Sequence, residues 1–210
     1  FKILKRIFYN NADFVIAINS KSKNELQSLG VSNNKIKILN NPSIKQNFIG
    51  NSNKKIFEKK LLNKKFILYV GRFSKHKNLN LLIDIFNNVQ KKIDINLVLI
   101  GQGKEMSKLK NLVDNYNIKK KVFFLGYKFN PLPYMKKAKL YVSFSDYEGQ
   151  PNSVIQSLGC GTSVIIKSFP GLNKKLKEFD ELIVLNELNN LKAETRILKN
   201  IKKNNRKNFN

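Results

Sequence analysis

Phe66-Ile-Leu-Tyr-Val70-Gly71-Arg72-Phe73-Ser74-Lys75-His76-Lys77-Asn78, continued by Leu79-Asn-Leu-Leu-Ile-Asp-Ile-Phe-Asn-Asn-Val-Gln90 and Ile95-Asn-Leu-Val-Leu-Ile100, decides the fold class. Residues 66–70 are apolar without alternation, the pattern of a strand buried on both faces, and the run stops at a glycine. From Asn78 to Gln90 the period changes: Leu79, Leu82, Ile83, Phe86 and Val89 share one stripe, the i, i+3, i+4, i+7 spacing of a helix that buries one side. Ile95–Ile100 is a second unalternating run. Two such strands joined through a helix are parallel neighbours in a sheet covered on both faces.

The alternation continues along the chain. Val122–Leu125, Leu140–Phe144, Ser163–Ile166 and Leu182–Leu185 read as further strands. Right-handed crossovers then make residues 66–186 an α/β unit with a doubly wound, Rossmann-like parallel sheet. Upstream, Asp13–Ile18 and Lys35–Leu39 read as strands around a capped helix, Ser20–Leu29, closed by Gly30. Residues 1–42 are therefore expected to be the end of another α/β unit, and because the chain begins at Phe1 rather than Met it is read as part of a longer one. Residues 43–65, behind Pro42, hold Gly50, repeated Asn and Lys and little periodicity, and read as a linker. Residues 187–210 form a Lys- and Asn-rich tail; Leu188, Leu191, Ile197, Leu198 and Ile201 permit a weak helix, with the last residues expected to fray.

With 210 residues, 41% hydrophobic and 10% aromatic, the chain is in the globular range, which excludes a wholly disordered or collagen-like protein. Its longest apolar runs fall well short of the roughly 20 residues that span a bilayer, and no signal-peptide succession opens it. Cys160 is the only cysteine, so no internal disulfide forms, in keeping with a reducing compartment. The charge is strongly positive: 40 Lys+Arg against 14 Asp+Glu, net +26. Arginine occurs only as Arg6, Arg72, Arg196 and Arg206, whereas nucleic-acid readers favour the bidentate guanidinium. Lysine spread through the chain beside asparagine fits AT-rich codon usage filling solvated faces. A functional basic surface is the other reading, and it suits anionic lipid better than RNA.

Ligands in such sheets bind beyond the carboxyl ends of the strands, so the segments that follow strands carry the functional argument. Gly71, Arg72 and Lys77 follow the first one, where a guanidinium and an ammonium flanking one loop suit a diphosphate; two solvated cations are the plainer reading. Gly101-Gln102-Gly103 opens like a dinucleotide fingerprint, but Met106 stands where its third glycine belongs, so a tight turn fits better. Beyond Ser143, Glu148 and Gly149 form a turn before Gln150-Pro151-Asn152-Ser153, where Pro151 suits a first helical turn and open N–H groups suit a phosphate. Gln156 lies further along that helix, so Glu148 and Gln156 can meet different parts of one extended ligand; a capping acid and a surface amide would also account for them. His76 reads as a variable loop position and Cys160, between two glycines, as a small packed residue rather than a nucleophile. No Asp-x-Asp pair or cluster of histidines and carboxylates marks a metal site.

Residues from Asp13 to about Gly171 resemble the group-1 retaining glycosyltransferases of the GT-B fold, which pair two Rossmann-like domains across a cleft. The landmarks are Lys37-Ile-Leu-Asn-Asn-Pro42, Gly71-Arg72 with Lys77-Asn78, Gly101-Gln-Gly103, Val122–Gly126, Ala138–Ser143 and Glu148–Asn152. The resemblance implies the C-terminal, donor-binding half of such a fold with a remnant of the N-terminal domain. It implies that Arg72 and Lys77 hold the diphosphate of a nucleotide-sugar, that Glu148 bonds the donor sugar with the 149–152 backbone beside it, and that Gln156 meets the ribose hydroxyls. Gln156 stands where the family signature has its second Glu, and Gly159 and Ser163 stand where Ala and Pro are usual. A carboxylate at 156 is expected to bind the ribose more tightly through charge-assisted bonds.

The implied activity is transfer of a hexosyl or N-acetylhexosaminyl group from a nucleotide-sugar, a UDP-sugar for preference, to a saccharide or lipid-linked saccharide. Cations replace a metal, no cofactor is expected, and this part alone is expected to be inactive. Polysaccharide assembly in the cytoplasm, in peripheral contact with the inner face of an anionic membrane, follows from the same resemblance. A truncated remnant that only binds nucleotide is the alternative; a basic nucleic-acid-binding module is a weaker one, since neither an aromatic-rich sheet signature nor zinc spacing occurs.

Overall fold

Strand β3, Phe66–Val70, is the centre around which the chain is wound, because its side chains are buried alternately on both sides of one sheet. The computed structural model describes residues 2–203 apart from 40, 57, 62 and 188. The first unit comprises α1 (Lys2–Asn11), β1 (Val15–Ala17), α2 (Ser20–Ser28) and β2 (Ile36–Ile38). The chain continues through α3 (Phe48–Ser52) to β3, α4 (Leu79–Gln90), β4 (Asn96–Ile100), α5 (Met106–Asn115) and β5 (Val122–Phe124). After α6 (Leu132–Lys137) and β6 (Leu140–Ser143) come α7 (Asn152–Gly159), β7 (Val164–Lys167), β8 (Leu182–Leu185) and α8 (Asn190–Lys203).

Six strands form one parallel sheet in the order β5-β4-β3-β6-β7-β8, the doubly wound arrangement expected from the apolar runs. The order reverses between β3 and β6, where Ile67 faces Leu140 and Leu68 faces Tyr141. Alternate strand residues feed two cores. Ile67, Leu97, Leu99, Val142 and Ile165 pack under α4, α5 and α8, while Phe66, Leu68, Val98, Tyr141 and Val164 pack under α3, α6 and α7. Each fully buried aliphatic or aromatic side chain contributes about 1.5–3 kcal/mol. Helix α4 buries Ile85 in addition to the expected stripe because α8 and α5 cover its flanks.

Two segments are more structured than their composition suggests. In the stretch read as a linker, residues 43–65, Phe48, Ile56 and Leu61 are buried in the second core. Glu58 ties it down by accepting from Lys128 Nζ and from the Tyr134 hydroxyl. The stretch read as a tail supplies α8, whose Ala193 and Ile197 are fully buried, and whose buried Glu194 pairs with Lys92 Nζ at 2.6 Å. The expected fraying of 204–210 and the apolar position Leu188 lie outside the described residues.

The first unit is small: β1 and β2 pair in parallel over Val15, Ala17, Leu26, Val31 and Ile36. The helix expected over Ser20–Leu29 is capped by Asn19, whose Oδ1 accepts from Ser22 N at 2.8 Å. Elsewhere in this unit Ile3, Leu4, Phe8, Ile16 and Leu39 are exposed. No helix among the described residues is long and apolar enough to cross a membrane.

Candidate functional site

The carboxyl ends of β3 and β6 diverge at the switch point, and between them opens a cleft of about 250 Å³. Tyr69, Val70, Gly71 and Lys77 line it from the β3 side, Ser143 and Glu148 from the β6 side, and Gln150–Ser153 with Gln156 from the start of α7. Nearly every residue singled out from sequence therefore converges on one place.

The loop after β3 is held by its neighbours before it reaches the cleft. Gly101 approaches so closely that a Cβ there would lie 1.9 Å from Gly71 O, and a Cβ at Gly103 would lie 2.2 Å from Phe73 O. These glycines pack against backbone, which is the turn role expected for them. The short helical turn of residues 75–77 ends at Asn78, whose left-handed backbone (φ 51) turns the chain into α4. Asn78 Nδ2 donates to Phe144 O at 2.9 Å and to Asp146 Oδ1 at 2.7 Å, stitching this loop to the one after β6. The hydrogen bond from Lys167 Nζ, 2.6 Å away, outweighs the opposing effect of burial and, helped by the Asn78 amide, holds the Asp146 carboxyl below the usual range.

That stitching brings Lys77 Nζ to 2.6 Å from Glu148 Oε1. Both side chains are more than four-fifths buried, and Ser145 Oγ donates to the same carboxylate oxygen at 2.7 Å. A charged pair this sheltered is a strong local interaction, because charge-assisted bonds are worth about 1.5–3 kcal/mol.

The third wall is the start of α7. Pro151 directly precedes the helix, which begins at Asn152. Asn152 N–H is bound by Gln150 O and Ile155 N–H by Pro151 O, while the N–H groups of Ser153 and Val154 belong to the same first turn, where a helix leaves its donors open. The Tyr141 hydroxyl lies 2.8 Å from Ser153 Oγ and 3.2 Å from Val70 O, and burial pushes its pKa well above the phenol range, so it stays protonated. Gln150, Asn152 and Gln156 each also contact the chain between β2 and α3. Gln150 brackets Asn41, accepting from its N–H and donating to its carbonyl at 2.8 Å each. Gln156 Nε2 donates to Ser43 O at 2.9 Å.

Arg72 behaves differently from the other expected residues. Its carbonyl accepts from the Tyr69 hydroxyl at 3.1 Å, but the residue is exposed and does not line the cleft. Gly149 faces the first unit: Asn19 Nδ2 donates to its carbonyl, and a Cβ would meet Ile18 Cδ1 at 2.7 Å. His76 stacks on Tyr147 with centroids 4.4 Å apart and planes 13° from parallel, a further contact between the loops after β3 and β6. Burial pushes the Cys160 thiol up to about 11, leaving little thiolate. Among the described residues no group of three His, Cys, Asp or Glu side chains gathers as metal ligands. Sequence reading placed Tyr69, Val70 and Ser143 in strands without assigning them to the site they line, and it did not single out Asn19, Ser43 and Ser145, small polar residues without a periodic or motif signal that bond Gly149, the α7 wall and Glu148.

Comparison with known proteins bears on the family and the fold. The family described as Glycosyl transferases group 1 matches residues 51–209. The N-acetylgalactosamine-N,N'-diacetylbacillosaminyl-diphospho-undecaprenol 4-alpha-N-acetylgalactosaminyltransferase of Campylobacter jejuni is 35% identical over 191 residues, which is 90% of this chain and 50% of that protein. A TarM mutant of S. aureus, in complex with Fondaparinux, alpha-GlcNAc-glycerol and UDP, superposes with a TM-score of 0.76 at 22% identity over 96% of this chain and 40% of its own. Anabaena HepE in complex with UDP gives 0.76 at 16% identity over 96% and 58%. The chain spans about half the length of the relatives it matches.

Proposed function

Because the chain belongs to the group 1 glycosyl transferases, we propose that its cleft binds the donor of a retaining sugar transfer: a nucleotide-sugar, with UDP as the nucleotide. The single observation that carries this reading is the convergence of Lys77, Glu148 and the first turn of α7 on one cleft at the switch point. UDP is also the nucleotide named with the TarM and HepE structures.

In this reading the diphosphate lies between Lys77 and the α7 N-terminus, with exposed Arg72 as the second cation at the rim. Glu148 accepts from a donor-sugar hydroxyl, and Gln156 Oε1 accepts from a ribose hydroxyl while its Nε2 stays on Ser43. The bond between the anomeric carbon and the diphosphate oxygen breaks, and the acceptor hydroxyl adds to that carbon on the same face. Its proton passes to the departing diphosphate. Negative charge grows on that leaving group in the transition state, and Lys77 and the helix N-terminus stabilise it more than they stabilise the ground state. These charges take the place of a metal, and no protein nucleophile is needed. A hexose or N-acetylhexosamine is the transferred group, a saccharide or lipid-linked saccharide the acceptor, and the cytoplasmic face of a membrane the place of work. Acceptor transfer requires the remaining half of the cleft, so this chain alone binds donor without turning acceptor over.

Thermal unfolding in the presence of UDP tests the reading, since a ligand that binds only the folded state raises the midpoint by mass action. UDP should raise it in the parent chain and much less in Lys77→Ala. No shift in the parent, or an equal shift in the variant, overturns the assignment.

A further inference from the structure

Ser43 is a buried polar residue, 8% exposed, in the stretch that leads out of the first unit, and it does not line the cleft. Its hydroxyl accepts from Gln150 Nε2 at 2.9 Å and donates to Asn152 Oδ1 at 2.7 Å. Its carbonyl accepts from Gln156 Nε2 at 2.9 Å. One residue thus holds three side chains that do line the cleft, from both ends of the α7 wall.

We propose that Ser43 is a positioning residue for nucleotide binding, presetting Gln150, Asn152 and Gln156 before the ligand arrives. The proposal rests on the nucleotide reading above and extends it to a residue outside the motif. Its physical basis is preorganisation: glutamine and asparagine side chains left free must be ordered when ligand binds, and that entropic cost is removed when they are already fixed. The hydroxyl is well suited, because a serine offers one donor and two acceptor lone pairs, and here it uses the donor and one acceptor at once. The arrangement also accounts for an amide at 156. Gln156 can donate to the Ser43 carbonyl with its nitrogen and still present an oxygen to a ligand hydroxyl, whereas a carboxylate has no proton to give that carbonyl.

Titration calorimetry with UDP, on the parent chain and on Ser43→Ala, Asn152→Ala and the double variant, tests it. Ser43→Ala is expected to weaken UDP about five- to tenfold, because the hydroxyl's bonds to both Gln150 and Asn152 are lost and the two amides must then be ordered by the ligand. The double variant is expected to lose clearly less than the sum of the two single losses, because both singles remove the Ser43–Asn152 bond while Ser43→Ala alone also releases Gln150. A serine with only a structural role would lower the melting temperature without that coupling. Unchanged affinity in Ser43→Ala, or fully additive losses, overturns the positioning role while the nucleotide reading stands. Failure of the parent to bind UDP overturns the nucleotide reading and the proposal with it. Should Ser43→Ala not fold, Ser43→Cys, close in size and a weak donor, must bind UDP at least about threefold more weakly; parent-like affinity there overturns the proposal.

Discussion

Lys77 Nζ and Glu148 Oε1, 2.6 Å apart, join the loop after β3 to the loop after β6 across the point where the sheet order reverses. The pair places a cation beside an acceptor in one sheltered cleft, a combination that can meet a phosphate and a sugar hydroxyl together. Their contributions should separate by ligand. Lys77→Ala is expected to weaken UDP by about 1.5–3 kcal/mol, since a charge-assisted contact to phosphate is lost. Glu148→Gln is expected to leave UDP within about threefold of the parent and to abolish any extra affinity for a UDP-sugar over UDP. Calorimetry with both ligands decides; loss of UDP binding in Glu148→Gln would place the carboxylate elsewhere.

Gln156→Glu reverses sign once the fold is known. Ribose chemistry alone expects tighter binding from a carboxylate, but the structure shows Gln156 Nε2 donating to Ser43 O, a bond that a carboxylate replaces with repulsion between oxygens. The variant should be less stable by about 1–2 kcal/mol and should bind UDP no better than the parent at neutral pH. Below the carboxylate range the acid regains a proton to donate, so the stability gap should narrow there. Tighter UDP binding at neutral pH with unchanged stability would contradict this.

Glycines at loop positions should differ sharply in tolerance. Gly101→Ala combines φ +138 with a Cβ 1.9 Å from Gly71 O, and backbone cannot yield cheaply, so a loss above about 3 kcal/mol is expected. Gly126 has φ +67 but nothing within 4 Å of its Cβ position, so Gly126→Ala should cost only the left-handed penalty of about 1–2 kcal/mol. Urea unfolding of the two variants checks the ordering.

Glu58 provides a pH signature. Desolvation raises its pKa, but hydrogen bonds from Lys128 and Tyr134 together lower it further, so the net result is a carboxyl below its usual range. A lowered folded pKa means that the stabilisation is complete above the ordinary carboxylate range and is lost as pH falls through the folded value. The stability difference between the parent and Glu58→Gln, about 1–2 kcal/mol at neutral pH, should shrink on acidification toward about pH 3. A difference that is constant with pH would mean the carboxylate's charge contributes nothing there.

The unalternating runs around Phe66–Val70 and Asn96–Ile100, the α4 stripe and the Pro151 helix start were legible in the sequence because each is written in contiguous residues, where periodicity and backbone restriction act locally. Lys77, Glu148 and Gln156 were legible as candidates for the same reason: they follow strands or begin a helix. The order β5-β4-β3-β6-β7-β8, the burial of Phe48, Ile56 and Leu61 within residues 43–65 and the docking of α8 on α4 were settled only by tertiary packing, since sparse apolar residues such as Phe48 and Ile197 acquire their meaning from what covers them. The Ser43 contacts are the clearest case. They join residues 107, 109 and 113 positions apart, and no local pattern in a chain so rich in Asn distinguishes the side chains that make them. Amphipathic period determines which residues go inside; the folded geometry alone determines which polar groups meet there.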